Sequence, residues 1–304
     1  MSCRFSDFFR GVLMPSRRSI ALILAFWVAV TGYVLYRDVA PVLLASGPPP
    51  IVIDLADEAA QNIPIRWTLT WNGKPAGKLT TQMIYIDADD TFRFTNDYRN
   101  FRYEASGITV VVPELRNVTR ISRSGNLREQ SGDGKLEVYL GDLRLGEATA
   151  KVVGTVTNGQ LIATCEVKSP LGNVSKTLDP VPVPSGLPLN PLQPVNRIAN
   201  LTPGREWVVH ENNPLDDALA ALARDKATQF GLKLPESPSG PLRAEVLSAP
   251  QNLDWHGHAT ACWVIEYRRE GELVARTWVR VTDGKVLKQE AFKKGENLSI
   301  ERDE

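Results

Sequence analysis

The sequence predicts a mainly β protein, carried behind one N-terminal apolar helix. Three observations point there. Alternating apolar and polar residues recur through most of the chain. Asn-Gly, Glu-Gly and Asp-Gly dipeptides separate these runs, as two-residue hairpin turns require. Only two stretches read as helix: an uncharged run at 19–36 and an amphipathic segment near 214–230.

The run from Ser19 to Tyr36, SIALILAFWVAVTGYVLY, is 18 residues long. At 1.5 Å per residue it spans about 27 Å, close to the hydrocarbon thickness of a bilayer. Arg4, Arg10, Arg17 and Arg18 precede it, with Asp7 as the one acid, and Arg37 sits beside Asp38 after it. Cytoplasmic flanks are rich in Lys and Arg. The expected form is therefore an uncleaved single-pass anchor, with residues 1–18 as a cytoplasmic tail and the rest of the chain extracytoplasmic, or periplasmic. A cleaved signal peptide would have a shorter apolar region and an A-x-A-like site. The nearest candidate, Leu43-Leu44-Ala45, lacks the first small residue.

Pro48-Pro49-Pro50 stiffens a linker over 37–62. Strand signals then begin. Ile65-Arg66-Trp67-Thr68-Leu69-Thr70-Trp71 alternates into Asn72-Gly73, and Asn158-Gly159 repeats that turn between two further alternating runs. An N-terminal β lobe is expected over 63–179. From Pro180 to Pro194, six of 15 residues are proline, too many for a central strand or helix interior. Residues 180–200 therefore read as a connector between lobes. In the C-terminal lobe, 201–304, Thr260–Arg268 and Leu273–Thr282 flank Glu270-Gly271, and Asp283-Gly284 leads into Val286–Phe292. This is the pattern of an antiparallel meander. Along the strand from Leu273, the set Leu273, Ala275, Thr277, Val279 and Val281 is expected to face inward, with Trp278 on the other face. Asn213-Pro214 followed by Asp216 and Asp217 opens the second helix, whose Leu215, Ala218, Leu219 and Leu222 share one face.

Composition narrows the function. Lys plus Arg and Asp plus Glu are both 35, so there is no basic footprint for nucleic acid. Three cysteines exclude a disulfide scaffold. There is no G-x-S-x-G, H-E-x-x-H or Walker A pattern, so no catalytic residue, metal ligand or cofactor is assigned. His256-Gly257-His258, with His210 elsewhere, is the one histidine pair; on a strand the two would share a face and could hold a metal, but a surface turn before a strand is the favoured reading. Asp87-Ala88-Asp89-Asp90 lacks the glycine and distal glutamate of a calcium loop and reads as a solvated turn. Cys165 and Cys262 lie within strands as small hydrophobes, and a disulfide between them is the special reading. Six tryptophans follow the apolar run. They are read as core in the first place, or as a platform for sugar rings or lipid.

A resemblance joins these readings in the C-terminal third. Pro203-Gly204-Arg205-Glu206-Trp207, Pro214-Leu215, Trp255-His256-Gly257 and Cys262-Trp263-Val264-Ile265-Glu266-Tyr267-Arg268 occur in order. Trp278-Val279-Arg280, Asp283-Gly284 and Val286-Leu287-Lys288-Gln289-Glu290 follow. Over residues 200–302 this resembles an uncharacterised family of membrane-anchored planctomycete proteins. It is similar, more distantly, to lipoprotein-carrier-like curved half-barrel domains. The resemblance implies a β-rich domain of the bacterial cell envelope and carries over no catalytic residue. The expected function is a membrane-anchored binding or scaffolding protein whose partner is an apolar or carbohydrate ligand or another envelope protein. The alternative is an extracytoplasmic hydrolase with a site outside known motifs.

Overall fold

In the computed structural model, the residues described are 17–34, 63–105, 108–123, 125–170, 172–183, 196–198, 200–209, 241–293 and 295–304. The chain divides into two compact units, Met1–Ser46 and Gly47–Glu304. The segment expected as the second helix, and residues 184–195 of the connector, lie outside the described residues.

In the first unit, helix α1 runs from Arg17 to Val34. Leu24, Phe26, Trp27, Val28 and Tyr33 are exposed on it. Among the described residues, no helix is long and apolar enough to cross a membrane. The first two of the 18 residues of α1 are arginines, and Leu35 and Tyr36 lie outside the described residues. The described apolar part of the helix covers about 24 Å, less than the ~30 Å of a hydrocarbon core.

Among the described residues, the second unit has sixteen strands. They are β1 (Ile65–Trp71), β2 (Lys74–Ile86), β3 (Thr91–Ala105), β4 (Ile108–Ser122), β5 (Leu127–Leu140), β6 (Leu143–Thr157), β7 (Gln160–Ser169) and β8 (Gly172–Thr177). There follow β9 (Val181–Pro182), β10 (Glu206–Val209), β11 (Leu242–Val246), β12 (Gln251–Trp255), β13 (His258–Arg269), β14 (Glu272–Arg280), β15 (Val286–Lys293) and β16 (Glu296–Arg302). All pair antiparallel in one sheet, in the order β10-β11-β13-β14-β15-β16-β1-β2-β3-β4-β5-β6-β7-β8, with β12 on β13 and β9 on β7.

The two expected lobes are thus one sheet. The join is β1 with β16, in register from Trp67 opposite Arg302 to Trp71 opposite Leu298. The described ends of the connector are also pinned. Val183 N–H donates to the Gly159 carbonyl, and Ile198 N–H to that of Gly284. One core crosses the join. Trp67, Leu69 and Leu79 cluster with Ile198, Trp207, Leu242, Val246, Ile265, Tyr267, Val279 and Ile300. Trp67 is fully buried, and its indole N–H donates to Thr81 Oγ1 at 2.9 Å. This settles the polar atom that a buried tryptophan must satisfy.

Turn chemistry sets the hairpins. Asn72-Gly73, Asn158-Gly159, His256-Gly257 and Glu270-Gly271 all have positive φ at both residues, the requirement of a type I′ turn. A line of irregularities crosses β2, β3 and β4. Gly77 has φ +148° and lies against the backbone of Arg99 and Phe101, Asn100 has φ +50°, and the β4–β5 register shifts between Val111 and Glu114. Pro113, which has no N–H to donate, falls inside that shift. Beyond this line Phe101 still packs on the main core, and Tyr103 meets Trp71 edge-on at 4.7 Å. The long strands β3–β6 therefore carry the core-facing side of the sheet outward to their turns.

Candidate functional site

The core-facing side does not stay covered to the end of these strands. Val110 lies opposite both Tyr103 and Val138, continuing the line from Trp71. One row further, Ile108 pairs with Leu140, and Leu140 pairs with Leu143. Directly opposed residues share a face, so these three aliphatics form one row across β4, β5 and β6. They are 41, 52 and 65% exposed. Leu136, on the same face of β5 as Leu140, is exposed as well. Single exposed leucines are ordinary; an aliphatic row at one end of a sheet is not.

Small residues border this row. On the same face β5 and β6 carry Gly132, Gly134, Gly146, Ala148 and Ala150. Leu115 and Asn117 of β4 lean over Gly134 and Gly132, at 3.0 Å from where a Cβ would sit, while Gly146 faces open space.

The opposite face of the same strands is polar. Asp97, Arg116, Asp133, Lys151 and Glu166 stand in register across β3–β7, alternating in sign. Beside them a hollow of about 250 Å³ is lined by Lys135, Lys151 and Lys168 against Glu114, Asp133 and Glu166. The charges balance, so the hollow favours neither an anion nor a cation. At the turn end, Arg144 reaches Glu137 at 2.9 Å and Glu147 at 2.5 Å, and Lys135 bridges the same two acids. The Tyr139 hydroxyl, then Lys135 and Arg144, hold Glu137 below the usual carboxylate range, and Lys135 and Arg144 do the same for Glu147. Both acids stay ionised and matched to their cations.

The residues singled out in the sequence resolve differently. His256 is in the β12–β13 turn, not on a strand beside His258, so the two imidazoles share no face. Its ring lies 4.8 Å from that of Trp255, and Nε2 is 3.1 Å from the Arg302 carbonyl. That carbonyl also accepts from Trp255 Nε1. His210 lies outside the described residues. Among the described residues no group of three His, Cys, Asp or Glu is placed to hold a metal.

The acids at 87–90 form a short 3-10 turn bound by arginines. Asp89 pairs with Arg120, and Asp90 pairs with Arg123 at 2.9 Å while accepting from the Tyr85 hydroxyl.

Cys165 and Cys262 are free, buried thiols, placed as small hydrophobes within strands; the special reading of a disulfide between them is not what the structure has. They belong to separate clusters. Cys165 packs with Val152, Leu161, Ala163 and Leu178, and Cys262 with Leu253 and Leu287. Burial pushes the Cys262 thiol up to about 11 and raises that of Cys165 as well. Neither is a thiolate at neutral pH, which a cysteine nucleophile needs.

The tryptophans divide between two clusters. Trp67 and Trp207 are buried in the main core, with Trp71 and Trp263 packed against it. Trp255 and Trp278 cover the Leu253–Cys262–Leu287 cluster on the opposite face. That second cluster was not read from sequence; its signal was Trp278, a large aromatic on the face opposite Val279.

Comparison with protein-family models and with curated proteins gives no match. Among solved structures, the chain is similar to a β-barrel-like protein of a domain of unknown function, DUF1849, from Brucella abortus. Identity is 11%, the TM-score is 0.32, and the match covers 79% of this chain and 95% of that one.

Proposed function

We propose that this chain is a binding or scaffolding protein of the bacterial cell envelope, anchored by the apolar run 19–36, with its N-terminus cytoplasmic and its sheet outside. The arginine asymmetry around that run supports the orientation. In sequence the uncharged run continues past the described residues of α1 to Tyr36, about 27 Å as a helix. The observation that carries the binding role is the exposed row Ile108–Leu140–Leu143. It favours an apolar partner over a carbohydrate, because most of the tryptophans that would stack on sugar rings are packed into the main core.

Two measurements test this on the full chain. A reporter active only outside the cytoplasm, fused after Glu304, is expected to work; activity of a cytoplasmic reporter alone would refute the orientation. Mass spectrometry of molecules co-purified with the detergent-extracted chain is expected to find an apolar species. The same species should be lost from a Leu140→Asp/Leu143→Asp variant, and an unchanged yield refutes this surface as the binding site.

A further inference from the structure

We infer that the aliphatic end of β4–β6 docks directly on a neutral phospholipid bilayer. This rests on the reading of an anchored chain and names the partner of its exposed surface.

Position comes first. Ile108, Leu140 and Leu143 are the outermost residues of their strands, next to the Gly141-Asp142 turn, so they lie close to a surface approached end-on. The backbone behind them is already paired: Ile108 with Leu140, and Leu140 with Leu143. Apolar insertion is costly when strand amides enter without partners; here the ladder reaches the last residue.

Charge comes second. The cations nearest this end, Lys135 and Arg144, are matched by Glu137 and Glu147. Glu104 and Asp142 add negative charge, and Arg102 adds positive. Such a rim has no excess of cations to seek anionic headgroups, and it suits zwitterionic ones.

Reach comes third. Residues 35–62 can span about 90 Å when extended. A 15-residue strand is about 50 Å long. A chain held at a bilayer by 19–36 can therefore present either end of its strands to that bilayer.

The test uses the full chain in phosphatidylcholine vesicles. Cys3 is replaced by serine, and a single environment-sensitive dye is attached through Leu143→Cys or, as a control, Val153→Cys. Val153 is half exposed on the polar face of β6. Lipids with quenchers on their acyl chains should blue-shift and extinguish most of the emission at 143 and leave 153 unchanged. Added salt should not reverse the effect. Flotation of the chain with the vesicles reports the anchor separately. Flotation with no quenching at 143, or with equal quenching at both sites, overturns the docking while leaving the anchor intact. Protection at 143 that needs a second copy, and so disappears as protein is diluted in lipid, also overturns it. A chain that does not float removes the anchored reading and this one together.

Discussion

Trp278 donates its indole N–H to Glu290 Oε2 at 2.9 Å across the β14–β15 pair, while Val279, one residue on, is fully buried on the other face. The two side chains fix which side of β14 is core. Ala275 and Thr277 are buried with Val279, as the alternation predicted. Val281 is not, because β14 ends at Arg280.

Val279→Asp therefore places an unpaired carboxylate in the main core and should cost about 4 kcal/mol or more. Arg280→Asp breaks an ion pair with Asp283, at 2.6 Å near the surface, and should cost about 1 kcal/mol. Denaturant melts of both variants decide it; a larger loss for Arg280→Asp would invert the register.

Glu266 is 5% exposed and bonded to both Arg268 and Arg276. Burial pushes its carboxyl up, but the two guanidiniums outweigh burial and the net shift is downward. A carboxyl depressed in the folded state stabilises above its unfolded value, about 4.3, and loses that contribution as pH falls through the lower folded value. Glu266→Gln should flatten the acid limb of a stability-against-pH curve below about pH 4.5. An unchanged limb would show that the two arginines do not hold this carboxylate.

Both buried cysteines should be silent to a thiol reagent in the native chain and react on unfolding. The Tm should be the same with and without reductant. Protection lost to reductant would restore the disulfide.

Gly77→Ala should destabilise by at least about 2 kcal/mol, since a Cβ there sits 2.9 Å from backbone atoms of Arg99 and Phe101 at positive φ. Gly146→Ala, with nothing within 4 Å, should be neutral or stabilise by up to about 1 kcal/mol. Paired melts test this; equal losses would show that the close approach at Gly77 does not require glycine.

Local structure was largely legible in the sequence. Asn72-Gly73, Asn158-Gly159 and Glu270-Gly271 fold as the turns their residues require, because a type I′ turn is decided within four residues. The division into two lobes was not a fair guide to the sheet. Trp71 and Leu298 are opposite neighbours, and no spacing or motif links residues so far apart; only matching alternation on both strands permits it. The exposed aliphatic row was equally hidden. Leu136, Val138 and Leu140 alternate as core residues do, and alternation cannot tell a covered face from an open one.

The β1–β16 pairing has a consequence for biosynthesis. β1 leaves the ribosome first among the strands and β16 last, so one edge of β1, with Trp67 and Leu69, waits through the synthesis of fourteen other strands. An unpaired edge beside large apolar residues is a template for wrong partners. Pairing so distant in sequence is also slow. A nascent chain stopped before Glu296 lacks its native suitor for that edge, and so should depend on holdase chaperones in a way the completed chain does not.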